Sequence, residues 1–412
     1  MMRRREALVA VSGVVAAVVL AGCGSPAPDT ATVVPEPKSA VQVSAQRRHT
    51  CVLTANGEIE CFGLNEAGRL GDGTDKNRGT PSRVVFPEGV RIAALSTGLA
   101  DHTCAIDAEA HVWCWGLNAF GQLGTLDLGN RTEATRVRGL DVQITAVVTA
   151  EQLTCALDAT GAVWCWGNNN NYTLGQVTDR VVGVNKPGSV VPIRVPALGR
   201  VTLLRAGGNH LCALEDTGTV KCWGDNKFGQ LGIGNADQTI EPRATVDLGG
   251  TVVDLALGQS HSCVLLEGGR VRCWGANQHD QLGFQSELVP GEVSFTTTPG
   301  AEIALGGPAM ALVAGRFYVC VTTSDGVLRC WGKIRGDEDE TNVVTVDEDL
   351  SVPVAIEGAT GVRVVDAGSR HLCWLVVSGP LVCAGNDDVG QVGDGPGDAG
   401  LLAARVVVGY GA

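Results

Sequence analysis

Fourteen of the fifteen cysteines in this 412-residue chain fall in seven pairs, each spaced by ten residues. Cys51 goes with Cys61, Cys104 with Cys114, Cys155 with Cys165, Cys212 with Cys222, Cys263 with Cys273, Cys320 with Cys330, and Cys373 with Cys383. A histidine precedes the first cysteine by two residues in five copies (His49, His102, His210, His261, His371), and Leu153 and Tyr318 replace it in the others. Three chemistries are open to such residues: oxidation to a disulfide, zinc ligation through His-x-Cys, and inert buried thiols. Zinc needs four ligands converging on one point. Each copy supplies one short segment and two copies lack the histidine, so no metal or other cofactor is expected and the histidines are assigned to packing and hydrogen bonding.

The segment between paired cysteines decides between the remaining two. It alternates apolar and polar, as in Val52-Leu53-Thr54 and Glu58-Ile59-Glu60, which argues a β-hairpin. Gly57, Gly161, Gly218, Gly269, Gly326 and Gly379 all stand six residues after the first cysteine, with Ala110 the exception. A glycine there suits a three-residue loop closed by a left-handed bulge. That turn pairs Thr54 with Glu58 and sets Cys51 opposite Cys61 in a non-hydrogen-bonded pair, where antiparallel side chains come closest. Cross-strand disulfides are therefore expected at all seven sites, each contributing roughly 2–3 kcal/mol by the loop-entropy account. Free buried thiols remain the alternative.

The pairs recur every 51 to 57 residues, a repeat signature that takes precedence over local features. Each unit carries four strand-like stretches; in the second these are 90–94, 103–107, 111–114 and 135–137. Short, evenly spaced strands with a periodic Gly/aromatic motif read as propeller blades. The expectation is an all-β chain, a seven-bladed β-propeller of four-stranded antiparallel blades over residues 41–412, with Arg405-Val406-Val407-Val408 lying beside the first unit to close the circle. Five of the eight tryptophans follow a repeat cysteine directly (Trp115, Trp166, Trp223, Trp274, Trp331), a placement that predicts core between neighbouring units.

The chain opens with Met1-Met2-Arg3-Arg4-Arg5 and an apolar run from Ala7 to Leu20. The run is short for a membrane span and right for a signal sequence. It ends in Leu20-Ala21-Gly22-Cys23, which resembles a bacterial lipobox, whose cysteine becomes the acylated first residue of the mature protein. Residues 1–22 are thus expected to be a lipoprotein signal peptide, and 23–40 a Pro-rich tether. Assigning Cys23 to lipid leaves fourteen cysteines that pair without remainder, and export permits disulfides. The expected location is the cell envelope, with the bilayer held through acylated Cys23. Net charge is −13, or −15 after cleavage before Cys23; such a surface repels phosphate backbones and disfavours nucleic-acid binding.

The repeated Cys-Trp-Gly-x-Asn-x-x-Gly-Gln-Leu-Gly resembles the motif of the regulator of chromosome condensation (RCC1-like) family. Gly-Gln-Leu-Gly stands intact at 121–124 and 229–232 and is altered at 68–71, 280–283 and 390–393; the third unit keeps only Leu174-Gly175 and the sixth has lost it. The resemblance implies a seven-bladed propeller across the mature chain. The family's founding member is a nucleotide-exchange factor for a small nuclear GTPase that also binds chromatin; another branch is secreted by bacteria and inhibits β-lactamases through loops on one face. The second compartment matches this sequence, so an exported lipoprotein branch is expected.

No Gly-x-Ser-x-Gly, His-Glu-x-x-His or Gly-x-x-x-x-Gly-Lys occurs. Gly395-x-Gly397-x-x-Gly400 is interrupted by Pro396 and reads as a surface turn, and the acidic runs 337–340 and 347–349 read as a solvated loop with calcium binding as their rival. Function on a ring of repeats sits in loops where copies differ. Asn169, Asn170 and Tyr172 in unit three, Gln278 and His279 in unit five, and Lys333 and Arg335 in unit six are the candidate partner contacts. The reading is a monomeric, non-enzymatic scaffold for an unknown protein or glycan. Its rivals are a hydrolase or lyase at the central channel, an inert structural component, and an exchange factor.

Overall fold

The computed structural model describes residues 38–178, 180–182, 186–245, 247–285, 294–334, 350–377, 379–395 and 404–410. Pro37–Ala412 is one compact unit, built of seven antiparallel sheets whose strands follow in chain order in all but the third. The first blade comprises Ala40–Ala45, His49–Thr54, Ile59–Gly63 and Arg78–Arg83, and the second Ile92–Leu95, His102–Asp107, Val112–Gly116 and Arg131–Arg136. The third adds a fifth, outer strand, Val181–Val182, against Lys186–Arg194. This is a seven-bladed β-propeller, and only Glu66–Gly68 among the described residues is helical, as one 3-10 turn.

The second and third strands of each blade form the predicted hairpin. Thr54 N–H donates to the Glu58 carbonyl (2.9 Å), and Cys51 faces Cys61 with Cα atoms 4.1 Å apart. That is the close spacing of a non-hydrogen-bonded pair, and the two sulfurs are bonded. The same Cα spacing of 4.1 Å and the same bond recur where Cys104 meets Cys114, Cys155 meets Cys165 and Cys212 meets Cys222. They recur again where Cys263 meets Cys273, Cys320 meets Cys330 and Cys373 meets Cys383. The rival of free buried thiols is therefore set aside at all fourteen positions. The turn position has a left-handed φ at Gly57 (80°), Gly161 (86°), Gly218 (84°), Gly269 (77°) and Gly326 (75°). Ala110 adopts it too, at 66°. In the last hairpin Gly379 N–H donates to the Val376 carbonyl (3.2 Å), as Gly57 N–H does to that of Thr54 (2.9 Å).

The core lies between blades. One cluster joins Cys51, Leu53, Ile59 and Cys61 of the first blade to Leu95, Ala105 and Trp115 of the second; another joins Cys212, Val220 and Cys222 to Leu255 and Trp274. The disulfides are thus themselves core atoms, and the repeat tryptophans fill the space between units, where truncating one to alanine costs about 3–5 kcal/mol. A buried indole N–H needs an acceptor. That of Trp166, Trp223, Trp274 and Trp331 donates to the carbonyl of Gln122, Thr173, Gln230 and Gln281 in the preceding blade (2.8–3.0 Å).

The closing stretch lies beside the first blade, as expected, but without joining its sheet. Arg405–Val406 pairs with Leu381–Gly385 of its own seventh blade. The outer edge of the first blade is already occupied by that blade's own fourth strand. The terminus meets the first blade through side chains instead: Val407 packs with Val52 and Phe62, and Tyr410 Oη donates to Glu60 Oε2 (2.8 Å). Main-chain bonds between the loops that join first and second strands complete the ring. They run from Ser369 N–H to Gln46 O (3.2 Å), Arg47 N–H to Ala100 O (3.3 Å), Glu151 N–H to Gly208 O (3.3 Å), Gly208 N–H to Gly258 O (3.1 Å) and Gln259 N–H to Arg316 O (3.2 Å). Such approach needs glycine: a Cβ on Gly258 or Gly315 would stand 2.6 Å from the next blade's carbonyl.

Candidate binding face

The repeated motif is spent on architecture. Asn65, Asn118, Asn169, Asn226 and Asn277 are buried, and each Oδ1 accepts the N–H of the leucine five residues on, at 2.8–2.9 Å. Their amides donate back into the same loop, as Asn118 does to the carbonyls of Asp127 and Gly129 (3.0 Å each). Asp387 plays the same part for Val392 (2.8 Å). These loops and the loops between first and second strands emerge on one face; the cysteine hairpins turn on the other.

The histidines join blades. His49, His102, His210 and His371 lie 2.7–2.8 Å from the hydroxyls of Thr103, Thr154, Ser262 and Thr50 in the following blade. Thr154 gives its own hydrogen to the Gln122 carbonyl (2.7 Å), so it accepts from His102 Nε2–H and the Nδ1 is bare. Burial lowers the pKa of His102 and His210 to about 3 and that of His371 to about 4, and holds His49 well below its ordinary value. Where the histidine is missing the partner changes as well: Leu153 shares an apolar cluster with Leu211, and the Tyr318 hydroxyl reaches the carbonyls of Gly368 and His371 (3.1 and 2.7 Å). His261 is the exception. Val319 stands where its hydroxyl would be, and its Nε2 has no hydrogen-bond partner.

Of the sequence-predicted contacts, Asn170 is exposed and Tyr172, Gln278, His279 and Lys333 are half-buried on the motif-loop face. Tyr172 and Asp280 occupy the place of a motif glycine and adopt its left-handed φ, 57° and 56°. Asn169 is a correction: it aligns with Asn118, is 2% exposed and has both amide atoms bonded within its loop (Leu174 N–H, Gln176 O), leaving nothing to offer a partner. Cys23, Arg335, the acidic runs at 337–340 and 347–349, Gly397 and Gly400 lie outside the described residues. The structure brings His279 against Phe317 (ring centroids 4.7 Å), with the Arg316 guanidinium 4.8 Å from the same ring, and Lys333 N–H donates to the Phe317 carbonyl (2.8 Å).

Residues just before the His-x-Cys position were missed by the sequence reading. Arg47, Arg48, Arg316 and Arg370 stand there in blades one, six and seven, and Asp101 and Glu151 in blades two and three. Asp101 takes Arg47 (3.2 Å) and Arg69 (3.5 Å). Glu151 accepts from Asn209 (3.1 Å) and, across the axis, from Gln259 (2.9 Å). Their signal was available: these positions vary in charge between copies whose flanks do not.

The channel is bordered by the first strands. Asp254 there is paired with Arg205 (2.7 Å), and Asp366 accepts the Ala45 N–H (2.9 Å); burial raises the Asp366 carboxyl to about 7 despite that bond. At the hairpin end the same strands expose Val41, Val253 and Met310. Asp107, Glu109 and His111 bring ligand-type atoms within 4.8 Å of one another in the second hairpin. Asp107 is committed there to the N–H groups of Glu109, His111 and the Trp113 indole, and Asp158 makes the same turn in the third blade without a histidine.

Fold and face together define a closed ring of repeats whose recurring residues hold loops and blades together and whose motif loops carry residues that differ from copy to copy. The chain belongs to the RCC1-like domain family, whose profile matches residues 20–307. It is 26% identical to the ultraviolet-B receptor UVR8 of Arabidopsis thaliana over 367 residues, covering 87% of this chain and 80% of that one. It is 33% identical over 254 residues to the Homo sapiens E3 ubiquitin-protein ligase HERC2, covering 61% of this chain and only 5% of HERC2. Among solved structures it is similar to human WBSCR16 (TM-score 0.72, 20% identity, 85% of this chain and 94% of that one). It is also similar to Prp20p of Saccharomyces cerevisiae, described with its binding to Gsp1p and histones (TM-score 0.68, 21% identity, 80% and 81%). At these identities the structural likeness speaks for the fold alone.

Proposed function

We propose that this chain is an exported, lipid-anchored propeller of a bacterial cell envelope that binds a protein, or secondarily a glycan, through its motif-loop face. One observation carries the reading: the repeated asparagines and histidines are consumed in bonds within loops and between blades, and the accessible residues of the motif loops, Asn170, Tyr172, Gln278, His279 and Lys333, differ from copy to copy. The exported setting is supported by the leader ending at Cys23 and by seven buried disulfides, which persist in oxidising compartments. The net charge of −13 opposes contact with nucleic acid.

The test is capture from envelope extract with the mature domain as bait. A stoichiometric protein retained by a variant carrying Val253→Ser and Met310→Ser, and lost by one carrying Asn170→Ala and Phe317→Ala, supports the reading; the opposite pattern refutes it. Anchoring is tested by detergent phase partition, with Cys23→Ser expected in the aqueous phase and the parent in the detergent phase. A parent found in the aqueous phase overturns the anchor.

A further inference from the structure

We propose that Glu151 and Gln259 form a strap across the motif-loop end of the channel, fastening blade five directly to blade three over blade four, so that these three blades move as one sector. A repeat unit ordinarily touches only its neighbours, and the histidine and tryptophan bonds of this ring all join adjacent blades. The strap breaks that rule. Glu151 Oε1 accepts from Gln259 Nε2 (2.9 Å), which joins residues 108 positions apart, while its Oε2 accepts from Asn209 of the blade between (3.1 Å).

Three residues at one repeat position build it. Two places before the His-x-Cys histidine, or its replacement, stand Glu151, Gly208 and Gln259 in blades three, four and five; the other copies hold Arg47, Ala100, Arg316 and Ser369 there. Glutamate supplies an acceptor with two oxygens, glutamine a donor long enough to pass the blade between, and glycine the space. A Cβ on Gly208 would lie 2.7 Å from the Gln259 carbonyl oxygen, 2.8 Å from its Nε2 and 2.9 Å from its Cδ. The Gln259 side chain thus runs over bare backbone, the close approach that only glycine permits.

A second contact between blades two apart ends on the same strand. Gln46 of blade one and Thr149 of blade three are both fully buried. Gln46 Oε1 accepts the Ala100 N–H of blade two (3.3 Å) and the Thr149 hydroxyl (3.4 Å), and its Nε2 donates to Ser44 Oγ (2.8 Å). The two bonds to other blades are long, so Gln46 fills space there more than it binds. The Glu151 bond is shorter and carries a full charge, which makes it the stronger kind. Its partners are half-buried, so solvent screening holds its worth to that of an ordinary hydrogen bond. The strap fixes the span between the blades whose motif loops carry Asn170 and Tyr172 on one side and Gln278 and His279 on the other.

The test is a double-mutant cycle of Glu151→Ala and Gln259→Ala in the purified chain with its disulfides intact. Urea unfolding is expected to give a coupling of about fivefold in the folding equilibrium constant, the net worth of one hydrogen bond. Native-state hydrogen exchange supplies a readout that a contact confined to blade five would not move. Gln259→Ala is expected to speed exchange of the Glu151 amide, two blades away, by about fivefold and to leave the Ser369 amide of blade seven unchanged. Unchanged near-ultraviolet circular dichroism checks that each variant is folded. Effects that multiply to within about twofold overturn the proposal, as does a Glu151 amide indifferent to Gln259→Ala. Equal acceleration at Glu151 and Ser369 overturns it as well, since the substitution would then loosen the whole ring instead of releasing one strap.

Discussion

Acid should unfold this propeller steeply, because the inter-blade histidines cannot take up protons while the ring is intact. In the unfolded chain a histidine titrates near 6.5; in the fold His102, His210 and His261 titrate at about 3, His371 at about 4 and His49 well below the ordinary value, all chiefly through burial. A depressed histidine pKa means that the unfolded state binds more protons, so the stability these groups contribute is present above pH 6.5 and is lost as pH falls toward the folded values. Asp366 acts in the opposite sense, holding one proton in the fold up to about pH 7 that the unfolded chain releases near 3.8. Near pH 5 the difference is about four protons, a slope of about 5 kcal/mol per pH unit at about 1.4 kcal/mol for each proton. Domain stabilities are about 5–15 kcal/mol, so the transition should fall between about pH 4 and pH 6 even with every disulfide intact. Buried tryptophan fluorescence and near-ultraviolet circular dichroism against pH, combined with urea unfolding at several pH values, give the proton count. The double variant His102→Leu with Thr154→Leu copies the natural pairing of Leu153 with Leu211 and should lower the slope by about one proton. A transition governed by one proton or fewer, or a slope unmoved by that variant, would refute the reasoning.

Three smaller changes have definite signs. Val319→Thr should stabilise the protein by about 1 kcal/mol, since a hydroxyl there can accept from His261 Nε2–H and donate to the Gln281 carbonyl, as Thr154 does at Gln122; urea unfolding at pH 7 reads it, and a loss of stability would mean that the site is apolar by necessity. Ala110→Gly should also gain about 1 kcal/mol by removing a Cβ from a left-handed turn at φ 66°; a lower melting temperature would contradict this. Asp366→Asn should leave stability unchanged near pH 4 and raise it at pH 8 by about 2 kcal/mol, because the raised carboxyl pKa costs stability as pH climbs through about 7. Equal gains at both pH values would assign the effect to packing.

Much of the fold was legible because the cysteine spacing, hairpin glycine and alternation all specify one register, and a register is a local property. Cys51 must face Cys61 once the turn closes at Gly57, whatever the remainder of the chain does. The sheet that the closing stretch joins was not legible for the complementary reason. Arg405 and Val406 carry strand character, but nothing within four residues says which of two sheet edges is vacant. Asn169 was misread in the same way: a run of four asparagines looks like drift until register shows that one of them fills the place of Asn118.

Sequence alone determined the number of blades, the hairpin pairing and the likeness of one repeat to the next, since each follows from spacings shorter than one unit. Tertiary structure alone decided which hydroxyl each histidine meets, where the ring closes, and that Arg47, Arg48, Ser369 and Arg370 share one notch. The histidine contacts alone join residues 52 positions apart at His102 and Thr154 and 321 apart at His371 and Thr50. Only the closure of the ring, which sets the seventh blade against the first, brings the more distant of them within reach.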